Sequence, residues 1–312
     1  MANPHISQSD RQITRWMSLA TTFLLASLSE GTKSVYTKTM DNIRVFSEKN
    51  FPGVVWFPTS ANIVVLFIVS LLDAGQAPTT VLSALSAIAY FHKLYSLPDP
   101  TCHFIVKKIV LGASKLRPQC DLRAPITSAI LLSLSNALLY VCDSSYERTM
   151  FNAMFSFMFH AFLRIGEVTE SVNNLLLSQV KIKNSSIYVK FLKFKHYNGR
   201  PITIIVISSV TNCPVKAMSD YLSIRGSNPG PLFVFPCHKS IPGSFFTKRF
   251  NSCLARCSLD PTMYKPHSFR IGAATNAFSN GATTESIQQM GRWKSQAFKK
   301  YIRLDSIGST VG

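Results

Sequence analysis

Four stretches of this 312-residue chain hold residues whose types and spacing could do chemistry. In "KPHSFRIGAATNAF", Lys265 to Phe278, His267 and Arg270 stand three apart among Ala, Gly, Ile and Phe. Positions i and i+3 share a helix face, so both side chains point towards whatever the small residues let come close. A helix start that shows His and Arg together suits a phosphate. In "FSFMFHAFLRIGE", Arg164 ends a long apolar run and Glu167 follows at i+3. The carboxylate either closes the helix on that guanidinium or holds its fork ready for an anion. "VKFLKFKHYNGR" puts Lys195 just before a turn, where a mobile β-loop can swing an ammonium into a site. "MGRWKSQAFKKYIR" offers Arg292, Trp293 and Tyr301 in a basic segment near the C-terminus. Taken singly, each has a plainer reading: a histidine at a helix start beside an arginine reaching to water, an internal ion pair, a solvated lysine, a tyrosine that only packs.

The rest of the composition bears on the partner. Thirty-three Lys and Arg face 15 Asp and Glu, a formal charge of +18, which points to a polyanion. The basic residues are spread along the chain, not gathered in an amphipathic helix or juxtamembrane tract, which favours nucleic acid over a membrane surface. The longest apolar run, "IVVLFIVSLL" (Ile63 to Leu72), is about half of what a bilayer crossing requires and reads as a buried helix. The first residues, "MANPHISQSDRQ", lack a charged segment followed by an apolar one, so no secretory signal is expected. The seven cysteines are odd in number and scattered, and neither Cys253/Cys257 nor Cys237–His238 has a second pair at zinc-site spacing. They read as free thiols, mostly buried, in a reducing intracellular compartment.

The elements that must position these residues change character along the chain. Residues 12–29, 33–49, 60–74, 79–95 and 101–113 carry apolar positions at helical spacing. The basic, proline-bracketed "ASKLRPQCDLRAP" (Ala113 to Pro125) reads as a linker, with a domain boundary near 118. "APITSAILLSLSNALLYV" reads as a helix, and "YERTMFNAMFSFMFHAFLRIGEVT" as one long, central helix. The period then shortens: three antiparallel strands are predicted at 179–183, 186–194 and 201–208, with an Asn198-Gly199 turn between the last two. Helices return at 212–225, 242–257, 267–280, 283–290 and 294–302. The fold class is mainly α with a small antiparallel β-sheet, α+β.

Together and in this order, the motifs resemble those of the tyrosine recombinase (phage integrase) family, most closely the recombinase-like proteins of eukaryotic mobile elements. "LRIGE", "FKHYNGRP", "HSFR" and "GRW…YIR" carry the match, and "VLSALSAIAYFHKLY" is similar to the family's core-binding helix. The resemblance covers most of the chain. It implies a helical core-binding (SAM-like), DNA-binding domain at 1–117 and a tyrosine-recombinase catalytic domain at 118–312. It also implies Arg164 with its supporting Glu167, the hairpin lysine at Lys195 (Lys193 the fallback), His267, Arg270 and the nucleophile Tyr301. One position departs: the slot nine residues before the tyrosine, usually His or Trp, holds Arg292, and Trp293 stands eight before it. Either Trp293 enters the site by a one-residue change of register, or Arg292 supplies a third guanidinium.

What the resemblance implies is cutting and rejoining of double-stranded DNA. Tyr301 attacks a phosphodiester to leave a 3′-phosphotyrosyl link, Arg164 and Arg270 clamp the non-bridging oxygens, His267 takes the phenol proton, and Lys195 protonates the departing 5′-oxygen. No cofactor or metal is expected, and no membrane; a homo-oligomer, a tetramer on DNA, is, in the nucleus if the source is eukaryotic. A non-cutting DNA-binding descendant and a type IB topoisomerase-like relaxing enzyme are the alternatives.

Overall fold

The structure is a computed structural model that describes residues 8–118, 121–192, 194 and 199–303. The chain divides into two compact units, Met1–Asp121 and Leu122–Gly312.

The first unit is helical: α1 (Gln8–Ala26), α2 (Glu30–Asn50), α3 (Ala61–Asp73), α4 (Pro78–Leu94) and α5 (Phe104–Leu116). Three of its helices start where short polar side chains or proline dictate. Ser29 Oγ accepts from Thr32 N and Ser60 Oγ from Ile63 N, and Pro78 occupies the first turn of α4. Ile43, Val64, Ile68, Val81, Ile88 and Val106 close its core. The apolar run at 63–72 is α3, with Ile63, Val64, Phe67 and Ile68 inside and Leu66 and Val69 exposed. The fifth helix begins three residues later than its apolar spacing predicts. Asp99 Oδ1 accepts from Thr101 N and diverts Pro100–Cys102 into a 3-10 turn. The helix then runs to Leu116, into the segment read as linker. Among the described residues no helix is long and apolar enough to cross a membrane.

The second unit is built on α7 (Ser145–His160), where nearly every residue from Met150 to Phe159 is buried. Against it lie α6 (Ser128–Val141), α9 (Pro214–Arg225), α10 (Gly243–Arg256) and α11 (Ser268–Ser279). Phe151 and Phe155 meet Phe246, Phe250 and Phe269 with ring centroids 5.3–6.0 Å apart, a packing that contributes beyond area burial alone. A three-stranded antiparallel meander follows: β1 (Val180–Lys183), β2 (Ser186–Phe191) and β3 (Ile202–Ile207), with Val189 opposite both Val180 and Ile204. Ile187, Val189, Phe191, Ile204 and Val206 form its buried face. Asn184 and Ser185, both at positive φ, make the tight turn between β1 and β2. Strand β2 stops three residues short of its predicted end. Of the turn predicted next, Gly199 has φ +86, while Asn198 lies outside the described residues.

Two larger expectations are corrected. The long helix predicted through Thr169 ends at His160, because Phe162 takes a left-handed conformation (φ +53) and Leu163 N bonds back to Met158 O. This is a helix-ending turn usually reserved for glycine, at a cost of about 1 kcal/mol for a phenylalanine. Arg164 therefore does not end α7; it precedes a separate short helix, α8 (Ile165–Val168). The cysteines are free but not mostly buried: of the six described only Cys253 is, Cys102 and Cys237 being exposed and the rest intermediate. Cys102 ends a surface 3-10 turn, and Cys237 adjoins the tight turn at His238.

The remaining elements are a 3-10 turn at Leu177–Gln179, α12 (Thr284–Gly291) and a last 3-10 turn at Gln296–Tyr301, where an α-helix over 294–302 was expected; Ser295 caps the last by accepting from Ala297 N. Helix α11 can lie against the segment before α6 because position 272 has no side chain. A Cβ on Gly272 would fall 1.9 Å from Ile126 O, whose own amide donates to Ser268 O. Here backbone would have to move, so Gly272→Ala is expected to cost about 3 kcal/mol or more. A thermal midpoint within about a degree of wild type would refute the close approach.

Candidate active site

Three chain segments converge on one cluster. The first is the left-handed turn after α7, the second the start of α11, and the third the corner between α12 and the last 3-10 turn. That corner repeats the geometry of the first turn: Arg292 is left-handed (φ +55), and Trp293 N bonds back to Gln288 O. Two such non-glycine turns beside one another, each strained, mark a place where side-chain chemistry overrides local preference.

Arg270 sits at the centre and is wholly buried. Its Nη1 donates to Phe162 O and its Nη2 to Gly291 O, so one guanidinium bridges the two turns. Its Cζ lies 4.0 Å from the Trp293 ring centroid and 5.8 Å from that of Tyr301. His267 begins α11, partly exposed, with its ring 5.1 Å from the Tyr301 ring. Trp293 covers the other side, 5.0 Å from Tyr301. It can do so because residue 291 is glycine: a Cβ there would fall 1.6 Å from Trp293 Cζ3.

Arg164 and Arg292 meet on Glu167. Arg164 Nη1 lies 3.3 Å from Glu167 Oε1, Arg292 Nη2 lies 2.8 Å from Oε2, and the same Oε2 accepts from Arg164 N at 2.8 Å. Arg164 keeps a quarter of its side chain exposed; Arg292 exposes none. Two guanidiniums thus share one buried carboxylate, and a third, that of Arg270, lies close enough to feel its charge. Burial first, and then the Arg164 and Arg292 charges, press the proton affinity of Arg270 well below the ordinary arginine value. Arg292 is lowered too, by burial first and by Arg164, against the opposing pull of Glu167. The Nε atoms of Arg270 and Arg292 have no hydrogen-bond partner among the described residues. Such a cluster has donors and positive charge to spare, and an anion would relieve both.

The structure therefore brings Arg164, His267, Arg270, Arg292, Trp293 and Tyr301 around one locus, with Glu167 behind them. Lys195 and the fallback Lys193 lie outside the described residues. Other contributors carried no sequence signal that was read. Thr275 Oγ1 donates to Tyr301 O and accepts from Arg303 N, pinning the segment that holds the tyrosine. Phe162 contributes a carbonyl, Gly291 a missing side chain, and Phe191 a ring under Arg292.

The family model for the phage integrase family matches residues 131–306. A sequence comparison with the curated proteins gives no match. Among solved structures, the chain is similar to a lambda integrase dimer bound to a COC′ core site, with TM-score 0.64 and 12% identity over 93% of this chain and 77% of that one. It is similar to the Tn1549 transposon integrase (residues 82–397) in complex with circular intermediate DNA, with TM-score 0.60 and 13% identity over 90% and 93%. It is also similar to the XerH site-specific recombinase bound to a palindromic difH substrate in a post-cleavage complex, with TM-score 0.64 and 12% identity over 86% and 75%.

Proposed function

From the premise that the chain belongs to the phage integrase family, we propose that it is a site-specific tyrosine recombinase that cuts and rejoins double-stranded DNA through a 3′-phosphotyrosyl intermediate. The observation that carries this reading is the tyrosine ring set between His267 and Trp293 above a cluster of guanidiniums with one carboxylate among them.

In this reading Tyr301 Oη attacks the scissile phosphorus and the 5′-oxygen leaves. An ordinary tyrosine loses its proton near pH 10, so the attack needs a base, and His267 takes that proton. Charge that builds on the non-bridging oxygens is met by Arg164 and Arg270. Arg164, partly exposed, is the first to meet the phosphate; Arg270 meets it when the Trp293–Tyr301 cover shifts. Lys195 protonates the leaving oxygen. The energy of the broken ester is kept in the phosphotyrosyl link, so rejoining needs only the reverse attack by a 5′-hydroxyl.

The partner is double-stranded DNA, with the excess of basic residues supplying phosphate contacts. The first unit serves as the core-binding domain. Complete exchange between two duplexes requires four strand cuts, one tyrosine each, hence a homotetramer on DNA.

The test is a duplex nicked near the cleavage position, from which the cut fragment diffuses away. Wild type accumulates a covalent, protease-sensitive protein–DNA adduct; a protein that binds the duplex but yields no adduct overturns the reading. In the same assay Thr275→Val, which keeps shape but loses both hydrogen bonds to the tyrosine segment, is expected to form adduct about tenfold more slowly at unchanged DNA affinity. An unchanged rate would mean that Thr275 does not hold the nucleophile.

A further inference from the structure

We propose that Arg292 is a positioning residue. Its guanidinium turns inward to hold Glu167, and through it the Arg164 fork, which leaves Trp293 as the residue of that pair that meets Tyr301. The proposal rests on the recombinase reading and deepens it by assigning different roles to the two neighbours.

The backbone states the case first. Position 292 is the left-handed residue of a helix-ending turn, where glycine is the ordinary occupant. An arginine kept there is kept for its side chain. That side chain is entirely covered, whereas Arg164 exposes a quarter of its own. Arg292 Nη2 donates to Glu167 Oε2 at 2.8 Å and lies 3.4 Å from Phe162 O; Nη1 lies 3.4 Å from Ala161 O and 3.3 Å from Met290 O. One face of the guanidinium rests on Phe191, its Cζ 3.8 Å from the ring centroid. With Glu167 on Nη2, carbonyls near both terminal nitrogens and the ring on one face, the covered group meets no phosphate unless its packing rearranges.

The contacts also explain what Arg292 does. Glu167 is the carboxylate that holds Arg164. The carbonyl of Phe162 is the one that receives Arg270. Phe191 is the last residue of β2, just before the segment that contains Lys193 and Lys195. One buried guanidinium therefore ties together the elements that deliver two phosphate-binding arginines and the end of β2. Trp293, next in sequence, points the other way, onto Arg270 and Tyr301.

The experiment compares wild type, Arg292→Met, Glu167→Gln, the double variant and Arg292→Lys on the nicked duplex at saturating protein. It reads the single-turnover rate constant of the folded fraction, with DNA affinity and thermal unfolding measured alongside. Arg292→Met is expected to slow adduct formation about a hundredfold with DNA affinity within about threefold of wild type. Arg292→Lys stays slow, because a point charge cannot satisfy the carboxylate and the carbonyls together. In the Glu167→Gln background the same Arg292→Met change costs about threefold or less, because the group it acts through is already gone.

An undiminished hundredfold loss in that background would show Arg292 acting on the phosphate itself and would overturn the proposal. So would an Arg292→Met rate constant equal to wild type with only a lowered melting temperature. If Arg292→Met does not fold, the double variant, which removes both members of the Arg292–Glu167 pair, decides against Glu167→Gln alone. Equal rates support the proposal, and a further loss of about thirtyfold overturns it. Absence of adduct in wild type is a different failure, that of the recombinase reading.

Discussion

Tyr301→Phe leaves no covalent adduct on the nicked duplex, a loss of at least about 10⁴-fold, while binding the duplex within about threefold of wild type. The substitution removes one oxygen and little else. The ring keeps its contacts with Trp293 and His267, 5.0 and 5.1 Å away. The backbone stays pinned because the Thr275 hydroxyl bonds main-chain atoms of Tyr301 and Arg303, not the phenol. Phe298, fully buried three residues earlier, anchors the same turn. Folding and DNA affinity are therefore expected to hold while chemistry stops. An adduct that persists in Tyr301→Phe would assign the nucleophile elsewhere. Equal DNA binding by the two proteins with no adduct from either would fit a protein that binds but no longer cuts.

Most of the fold was legible because apolar spacing and turn chemistry agree along this chain. The helices of the first unit, the meander and helices α9 to α12 all follow from period and punctuation, with ends shifted by a few residues. The sequence misled where a residue adopted a conformation its type disfavours. Nothing in "FHAFLRIGE" announces that Phe162 will be left-handed, so one helix was read where there are two with a turn between them. That turn matters more than the helix it ends, since its carbonyl receives Arg270 and approaches Arg292.

At the site, residue types and their order were readable, but directions were not. His267 and Arg270 share a helix face, yet one is partly exposed beside the tyrosine and the other is buried beneath the tryptophan. Arg292 and Trp293 are adjacent, and the left-handed backbone sends them to opposite sides. Thr275 was invisible because its partners are main-chain atoms 26 and 28 residues away.

Arg270→Ala is expected to lower the rate of adduct formation by about 10³-fold or more and to change stability far less than burial of so large a side chain suggests. Two opposed effects set the stability. The substitution leaves Phe162 O and Gly291 O without the guanidinium and opens a space beneath Trp293. Against this, it removes a desolvated cation that burial and two neighbouring arginines already disfavour. The penalty for the unpaired carbonyls is about 1–3 kcal/mol each when fully enforced, and relief of like-charge repulsion in a buried setting is of similar size. The two largely offset, so the melting temperature is expected to fall by no more than about 5 °C. No such offset exists for the reaction. As negative charge gathers on the phosphate oxygens, the guanidinium whose charge burial disfavours becomes, with Arg164, a counter-charge to them. Arg270→Lys should recover little of the rate, because an ammonium cannot bridge two carbonyls and an oxyanion with one planar fork. A substrate whose scissile phosphate carries a neutral methyl in place of one non-bridging oxygen separates the explanations. With less charge to stabilise, Arg270→Ala should lose much less of its rate relative to wild type on that substrate. If the full loss remained on the neutral phosphate, Arg270 would be holding the two turns together and not meeting the charge.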